Sequence, residues 1–349
     1  MKPRQLLQGI CFLLIVIVLL GCSTYIVRTN GDVKNRFTGF YAEPKNTIDV
    51  IMIGASPVAT SFAPGQIWGE QGITAYPLST NSQNPKAIKY LLQETYQYQS
   101  PEVAVIELRM FTEDAAKMDE DMPHIREVTD NLRFSKNRID TINALVNDKS
   151  TRYTYYFDII KFHSNWKMFF LPQEILKFDY SLNNPDKGFE YPDVIMSHSF
   201  PEDINMDGVV PIPKEQEIVL LDLMAYLKQH HQKTLFVMTP KDISNEYQGM
   251  ANYMKELVTN EGFQFLNMNE YYSELNFEFT TDLMDGAHTN TLGAKKCSIF
   301  LADYLSQTYG IENKRNQPSY ESYEQAYERF CDRYQQILNS AEEENNQSE

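Results

Sequence analysis

Two short stretches of this 349-residue chain carry residues of the types that attack an acyl carbon and move its protons. The first is Gly54-Ala55-Ser56-Pro57, directly after the apolar run Ile48-Asp-Val-Ile-Met-Ile53. A serine at the carboxyl end of a buried strand presents its Oγ and its own backbone N–H to the crevice where open α/β sheets bind ligands. The same residues also read as ordinary helix grammar, with Ser56 as an N-cap and Pro57 at the first helical position. The second stretch is Asp285-Gly-Ala-His288, just ahead of a helical pattern that starts at Leu292. A nucleophilic serine needs a base, and the base needs a partner that fixes its tautomer. An Asp three residues before a His on one tight loop supplies both, although Asp-Gly is also a common turn dipeptide. Ser61 has less claim than Ser56. Among the other histidines, His230 and His231 close a helix, where cations suit the dipole. His163 reads as a packed residue of an aromatic segment, and His124 and His198 have no readable context.

The elements that must position these residues alternate in type. Short β-branched or apolar runs at Ile48–Ile53, Thr74–Leu78, Val103–Leu108, Thr234–Met238 and Phe263–Leu266 read as strands. Helical patterns separate them, around Pro64–Gln71, Asn84–Leu92, Lys214–His231, Tyr247–Thr259 and Leu292–Tyr309. Such alternation implies a parallel sheet with right-handed crossovers. From Met110 to Pro213 the rhythm breaks into aromatic clusters, Tyr153-Thr-Tyr-Tyr-Phe157 and Phe162-His-Ser-Asn-Trp166. About a hundred residues is too long for a loop, so the stretch reads as a helical insertion covering the top of the sheet. Residues 31–45 read as a linker, 46–310 as the α/β domain, 311–338 as a C-terminal helix and 339–349 as an acidic disordered tail.

Composition narrows the classes. Apolar residues at 42% and charged ones at 22% exclude wholesale disorder and a polytopic membrane protein. Lys plus Arg is 31 against 47 Asp plus Glu, a net charge of −16, with no basic run beyond the first four residues. Nucleic acid is therefore excluded as a partner. Of the four cysteines, Cys297 and Cys331 lie outside the N-terminal segment, with no zinc-type spacing, so no metal or cofactor is expected. Residues 1–30 read as a targeting segment: Lys2 and Arg4 precede an uncharged window from Gln5 to Val27. That window is just long enough to span a bilayer, with the body of the protein outside the cytoplasm. Leu19-Leu20-Gly21-Cys22-Ser23 resembles a bacterial lipobox with Cys22 as the lipidated residue, and Leu20 departs from the small residue usual there. An uncleaved signal anchor is the alternative. Either way the domain is tethered to the extracytoplasmic face of a membrane.

Taken together, the first-strand Gly-x-Ser and the late Asp-x-x-His resemble the first and last sequence blocks of the SGNH/GDSL hydrolase family. The runs Asp49–Ser56 and Asp282–Gly293 look particularly like its membrane-anchored bacterial branch. The resemblance covers about residues 46–309. It implies an α/β, flavodoxin-like three-layer αβα fold with a parallel central sheet. It also implies Ser56 as nucleophile, His288 as base and Asp285 as its orienting acid. The family's second-block Gly, an oxyanion donor through its backbone N–H, falls near Ser82, and Asn81, Gln83 or Asn84 is the candidate side-chain donor in place of its third-block Asn. Its third-block Asn is missing, replaced by Glu107-Leu-Arg-Met110. The expectation is an extracytoplasmic serine esterase or O-acyltransferase acting on an acylated envelope glycan or small acyl ester. The alternative is a non-catalytic accessory protein that partners an integral membrane O-acyltransferase.

Overall fold

The computed structural model describes residues 3–28, 31–172 and 182–348. Its centre is a five-stranded, wholly parallel sheet: β1 (Val50–Ile53), β2 (Ala75–Pro77), β3 (Val103–Glu107), β4 (Lys233–Met238) and β5 (Gln264–Asn267), in the order β2-β1-β3-β4-β5. All five strands lie within or at the edge of the runs read from the sequence. Side chains alternate across a strand, and here both sets are buried. Ile51, Ile53, Ala104, Ile106, Phe236 and Met238 enter one apolar cluster, while Val50, Met52, Val103, Val105, Leu235 and Val237 enter another. Continuous β-branched runs are what a sheet covered on both faces requires. The fold is a three-layer αβα arrangement.

The helices that supply the outer layers follow the sequence pattern. After β1 come α3 (Ser56–Ser61) and α4 (Pro64–Gln71), and after β2 comes α5 (Ile88–Tyr98). The insertion holds α6 (Ala115–Glu120), α7 (Met122–Thr129), α8 (Lys136–Leu145), α9 (Tyr153–Tyr156), α10 (Ile159–Phe162) and a 3₁₀ stretch, His163–Phe170. Then α11 (Lys214–Gln229), α12 (Asn245–Asn260), α13 (Thr291–Tyr309) and α14 (Glu321–Ser348) close the chain. Residues 173–181 of the insertion lie outside the described residues.

Four expectations need correction. The presumed linker 31–45 contains α2 (Asp32–Ala42), with Phe37 and Phe40 in the core. Its polarity hid its burial. Arg36 donates from Nε to the Gly188 carbonyl and from Nη1 to that of Ser79, and it pairs with Glu190. The acidic tail continues α14 to Ser348, consistent with the high helix propensity of Ala, Glu and Gln. The leader is not wholly separate from the fold: α1 (Pro3–Val27) is exposed through Leu20 except for half-buried Val16, but Thr24, Ile26, Val27 and Arg28 are buried. Within α1, Pro3–Thr24 is long and apolar enough to cross a membrane, by length and composition. His163 is exposed rather than packed.

Buried charge holds the insertion. Asp158, fully buried, accepts from Arg28 Nε at 2.6 Å and from Arg138 Nη2 at 3.0 Å. Arg126 stacks over the Tyr155 ring at 3.9 Å. Cys297 is buried and Cys331 exposed, and both are free thiols.

Candidate active site

In the order β2-β1-β3-β4-β5 the strand sequence reverses between β1 and β3, and ligands bind outside the carboxyl ends at such a point. Ser56 stands there, three residues past the end of β1. It is the first residue of α3, with Ala55 at the cap position and no side-chain capping bond. The N-cap reading of Ser56 is therefore replaced: its Oγ lies 2.8 Å from His288 Nε2. Gly54 is needed for the turn, because a Cβ there would meet Glu107 Cβ at 2.7 Å and Val58 Cγ2 at 2.8 Å.

His288 arrives on a closed loop. Leu283 and Thr289 form an antiparallel bridge, and the Met284 N–H donates to the His288 carbonyl at 3.0 Å. Inside the loop, Asp285 Oδ1 accepts from the Ala287 and His288 N–H groups, each at 2.7 Å. Both Asp285 oxygens lie 3.0 Å from His288 Nδ1. Thr289 Oγ1 then donates to the Thr60 carbonyl at 3.1 Å, docking the loop on α3. Beyond it, Asn290 caps α13 by accepting from the N–H groups of Leu292 and Gly293. The structure brings Ser56, His288 and Asp285 into one hydrogen-bonded chain.

Electrostatics tune that chain. Burial lowers the pKa of His288 below its ordinary 6.5, the Arg109 charge lowers it further, and Asp285 offsets part of the shift. The imidazole is thereby kept neutral, the form that can accept a proton. Burial pushes the Asp285 carboxyl up, but the hydrogen bonds from Ala287 and His288 and the His288 charge bring it below its ordinary value. An ionised Asp285 holds the Nδ1–H tautomer and leaves Nε2 to face Ser56.

The expected oxyanion donors separate. Asn81 faces the same cavity as Ser56, yet its N–H and its side-chain amide both donate to Glu127, at 2.8 and 3.2 Å. Gln83 is buried, with its amide 3.4 Å from Thr80 Oγ1. Ser82 has a φ of 38°, in the left-handed region that glycine adopts freely. The Asn81 and Gln83 side chains are thus committed elsewhere.

Three charged groups at this edge escaped the sequence reading of function. Glu107, the last residue of β3, accepts the Arg109 N–H at 3.0 Å and a further backbone bond from Ala55, tying β3 to the Ser56 turn. Burial raises its pKa despite Arg109. Arg109 is buried, and its Nε and Nη2 find no partner among the described residues. Lys241, after β4, has its pKa lowered by burial and by Arg109. The available signal was a charged pair closing the apolar run Val103–Ile106 beside the switch point.

A cavity of about 950 Å³ opens over Ser56 and His288. Its walls come from α2, through Asn35 and Arg36, and from residues 182–192 of the insertion, with Phe189 and Tyr191. Residues 182–192 line the cavity, whereas the aromatic clusters named from the sequence do not. Tyr155 belongs to the main core, and Phe162 lines a second cavity of about 770 Å³ that meets the first at Asp32, Asn81 and Glu190.

No family model matches the chain, and no curated protein matches it in sequence. Among solved structures the chain is similar to an acetyl xylan esterase, Est2A, from the rumen bacterium Butyrivibrio proteoclasticus. The similarity covers 76% of this chain and 66% of that one, so the chain spans just under two thirds of its length, at 11% identity and a TM-score of 0.30.

Proposed function

We propose that this protein is an extracytoplasmic serine esterase or O-acyltransferase that acts on acyl esters of a cell-envelope polysaccharide. The observation that carries the reading is the continuous chain Ser56 Oγ–His288 Nε2 and His288 Nδ1–Asp285, at 2.8 and 3.0 Å, on the floor of a large cavity at the switch point. In this reaction Ser56 Oγ attacks the ester carbonyl while His288 Nε2 takes its proton. The tetrahedral oxyanion is met by the N–H groups of Ser56 and Ser82. His288 returns the proton to the departing alcohol, leaving an acyl-Ser56. A second hydroxyl, from water or from a sugar, then attacks that acyl group and gives its proton to His288; the acyl–Ser56 bond breaks and His288 returns the proton to Ser56 Oγ.

The Asn and aromatic lining of the cavity suits a sugar ring, whose faces pack on Tyr191 and whose hydroxyls exchange hydrogen bonds with Asn35. With the Asn81 side chain committed to Glu127 and the Gln83 amide to Thr80, hydrolysis of small acetyl esters is expected to be weak and deacylation faster when a polysaccharide acceptor is present. The same commitment of Asn81 favours one second reading, an accessory protein that binds glycan beside an integral membrane O-acyltransferase without chemistry of its own. The two part in one experiment. Purified protein incubated with a fluorophosphonate probe is expected to label, and Ser56→Ala to remain unlabelled with its fold intact. An unlabelled wild type returns the accessory reading, and labelling of Ser56→Ala removes Ser56 as nucleophile.

For attachment we propose Cys22 as a lipidation site, with a retained signal anchor as the other form. Fatty-acid label present in the wild type and lost in Cys22→Ala is the expected result; label retained in Cys22→Ala overturns it.

A further inference from the structure

We propose that Phe157–Leu171 is a membrane seat, a basic aromatic surface lying in the headgroup region of the bilayer that holds the N-terminal anchor. The proposal rests on the anchored reading of the N-terminus.

Three observations converge on it. First, the surface is apolar where a soluble domain has no use for apolarity. Phe157, Ile160, Trp166, Phe169, Phe170 and Leu171 are all exposed, Phe170 at 75%, Phe157 at 62% and Trp166 at 55%. Six large apolar side chains within fifteen residues form the kind of patch that marks an interaction surface. Trp166 and Phe170 pack edge to face at 6.0 Å, so these two rings present one face.

Second, this surface is fixed at the end of the apolar helix. Both α10 and the 3₁₀ stretch His163–Phe170 pack against α1. Asn165 donates from Nδ2 to the Val27 carbonyl at 3.1 Å, and Asp158 binds Arg28. The apolar span ends at Thr24, and three further residues of helix add only about 4.5 Å along its axis. Trp166 therefore sits at the level where tryptophan and its amphipathic ring concentrate in membrane proteins. Lipid attached at Cys22 would place it at the same level, since Val27 follows just beyond.

Third, the charge is right for lipid headgroups and wrong for the rest of the molecule. In a chain of net charge −16, this stretch carries Lys161 and Lys167. Its one acidic residue, Asp158, is buried between Arg28 and Arg138. Basic residues flanking exposed aromatics are the composition of interfacial segments.

The two tryptophans make the test direct. Trp68 is 2% exposed and donates from Nε1 to Glu324, so it is shielded within the domain and lipid-dependent emission changes report Trp166. The full chain is reconstituted in vesicles containing lipids brominated near the carbonyl end of the acyl chain, and flotation is measured on the same sample. The expected result is flotation with the vesicles, quenching that approaches the whole of Trp166's share of the emission, and loss of that quenching in Trp166→Phe. Flotation with Trp166 quenched by aqueous iodide and untouched by brominated lipid overturns the seat and leaves the anchor. Failure to float overturns the anchored reading, and the seat falls with it.

Discussion

At the carboxyl edge of the sheet, position is set by backbone. Ser56 is placed by the β1–α3 turn, and His288 by a loop whose closure runs through main-chain N–H groups and an Asp285 carboxylate. In the insertion, position is set by side chains of distant residues: Asp158 bridges Arg28 and Arg138, and Arg126 lies over Tyr155. Strand register and tight loops tolerate surface change because their partners are main chain. A buried carboxylate between two guanidinium groups tolerates none, since removing one member leaves unpaired charge in the interior. The site is therefore expected to be robust in geometry and sensitive in chemistry, and the insertion the reverse.

The largest effect that tests this contrast is chemical. Asp285→Asn keeps the loop's shape but favours the wrong imidazole tautomer, and turnover or probe labelling is expected to fall on the order of 10⁴-fold with circular dichroism and melting nearly unchanged. A loss below tenfold would mean that Asp285 is a loop residue and not a partner in proton transfer. The matching change in the insertion is Asp158→Ala, expected to cost about 3–5 kcal/mol in chemical denaturation. If the two regions are as independent as their construction suggests, Ser56 still labels in Asp158→Ala at low temperature. Simultaneous loss of labelling would show that the Asp158 cluster also holds the cavity.

Two smaller effects sharpen the account of the edge itself. Arg109 lowers the pKa of His288, and His288 must be neutral to act as a base. Activity is thus expected to fall as pH drops through a His288 pKa below 6.5. Arg109→Met, which removes the lowering charge, should move that acidic limb of kcat/KM to higher pH. A limb that stays in place in the variant would show that the guanidinium does not act on the imidazole. The least perturbing change is Ser82→Gly. It relieves a left-handed backbone without removing the N–H, so stability should change by no more than about 1 kcal/mol and kcat stay near the wild-type value. A large fall in kcat would mean that the Ser82 side chain takes part in the site.

The contrast also explains what could be read from the sequence. The five strands carry their burial in local composition, and Ser56, Asp285 and His288 sit in short stretches whose spacing states their relation. Helix α2 was invisible as a core element because Lys34 and Arg36 look solvated until the Arg28 carbonyl beside Lys34, and Ser79, Gly188 and Glu190 around Arg36, are known. Arg28 and Asp158 are 130 residues apart, and no local pattern joins them. Glu107 and Arg109 were seen only as a departure from a family pattern. Their role depends on facing Ala55 and His288 across the sheet edge, which is tertiary information.

Helix α2 has one more consequence. It begins a few residues after the buried Arg28, and the same short helix lines the cavity through Asp32, Asn35, Arg36 and Thr38. Eleven helical residues measure about 16 Å. In a protein anchored and acting as proposed, the segment leading from the bilayer would reach the pocket through a short, packed helix and not through a leash alone. A leash would let the proposed site sample glycan at any height, whereas a packed helix beside the cavity would narrow the working distance. Selection among chemically similar esters would then be made by how far each stands from the membrane, before any sugar is recognised.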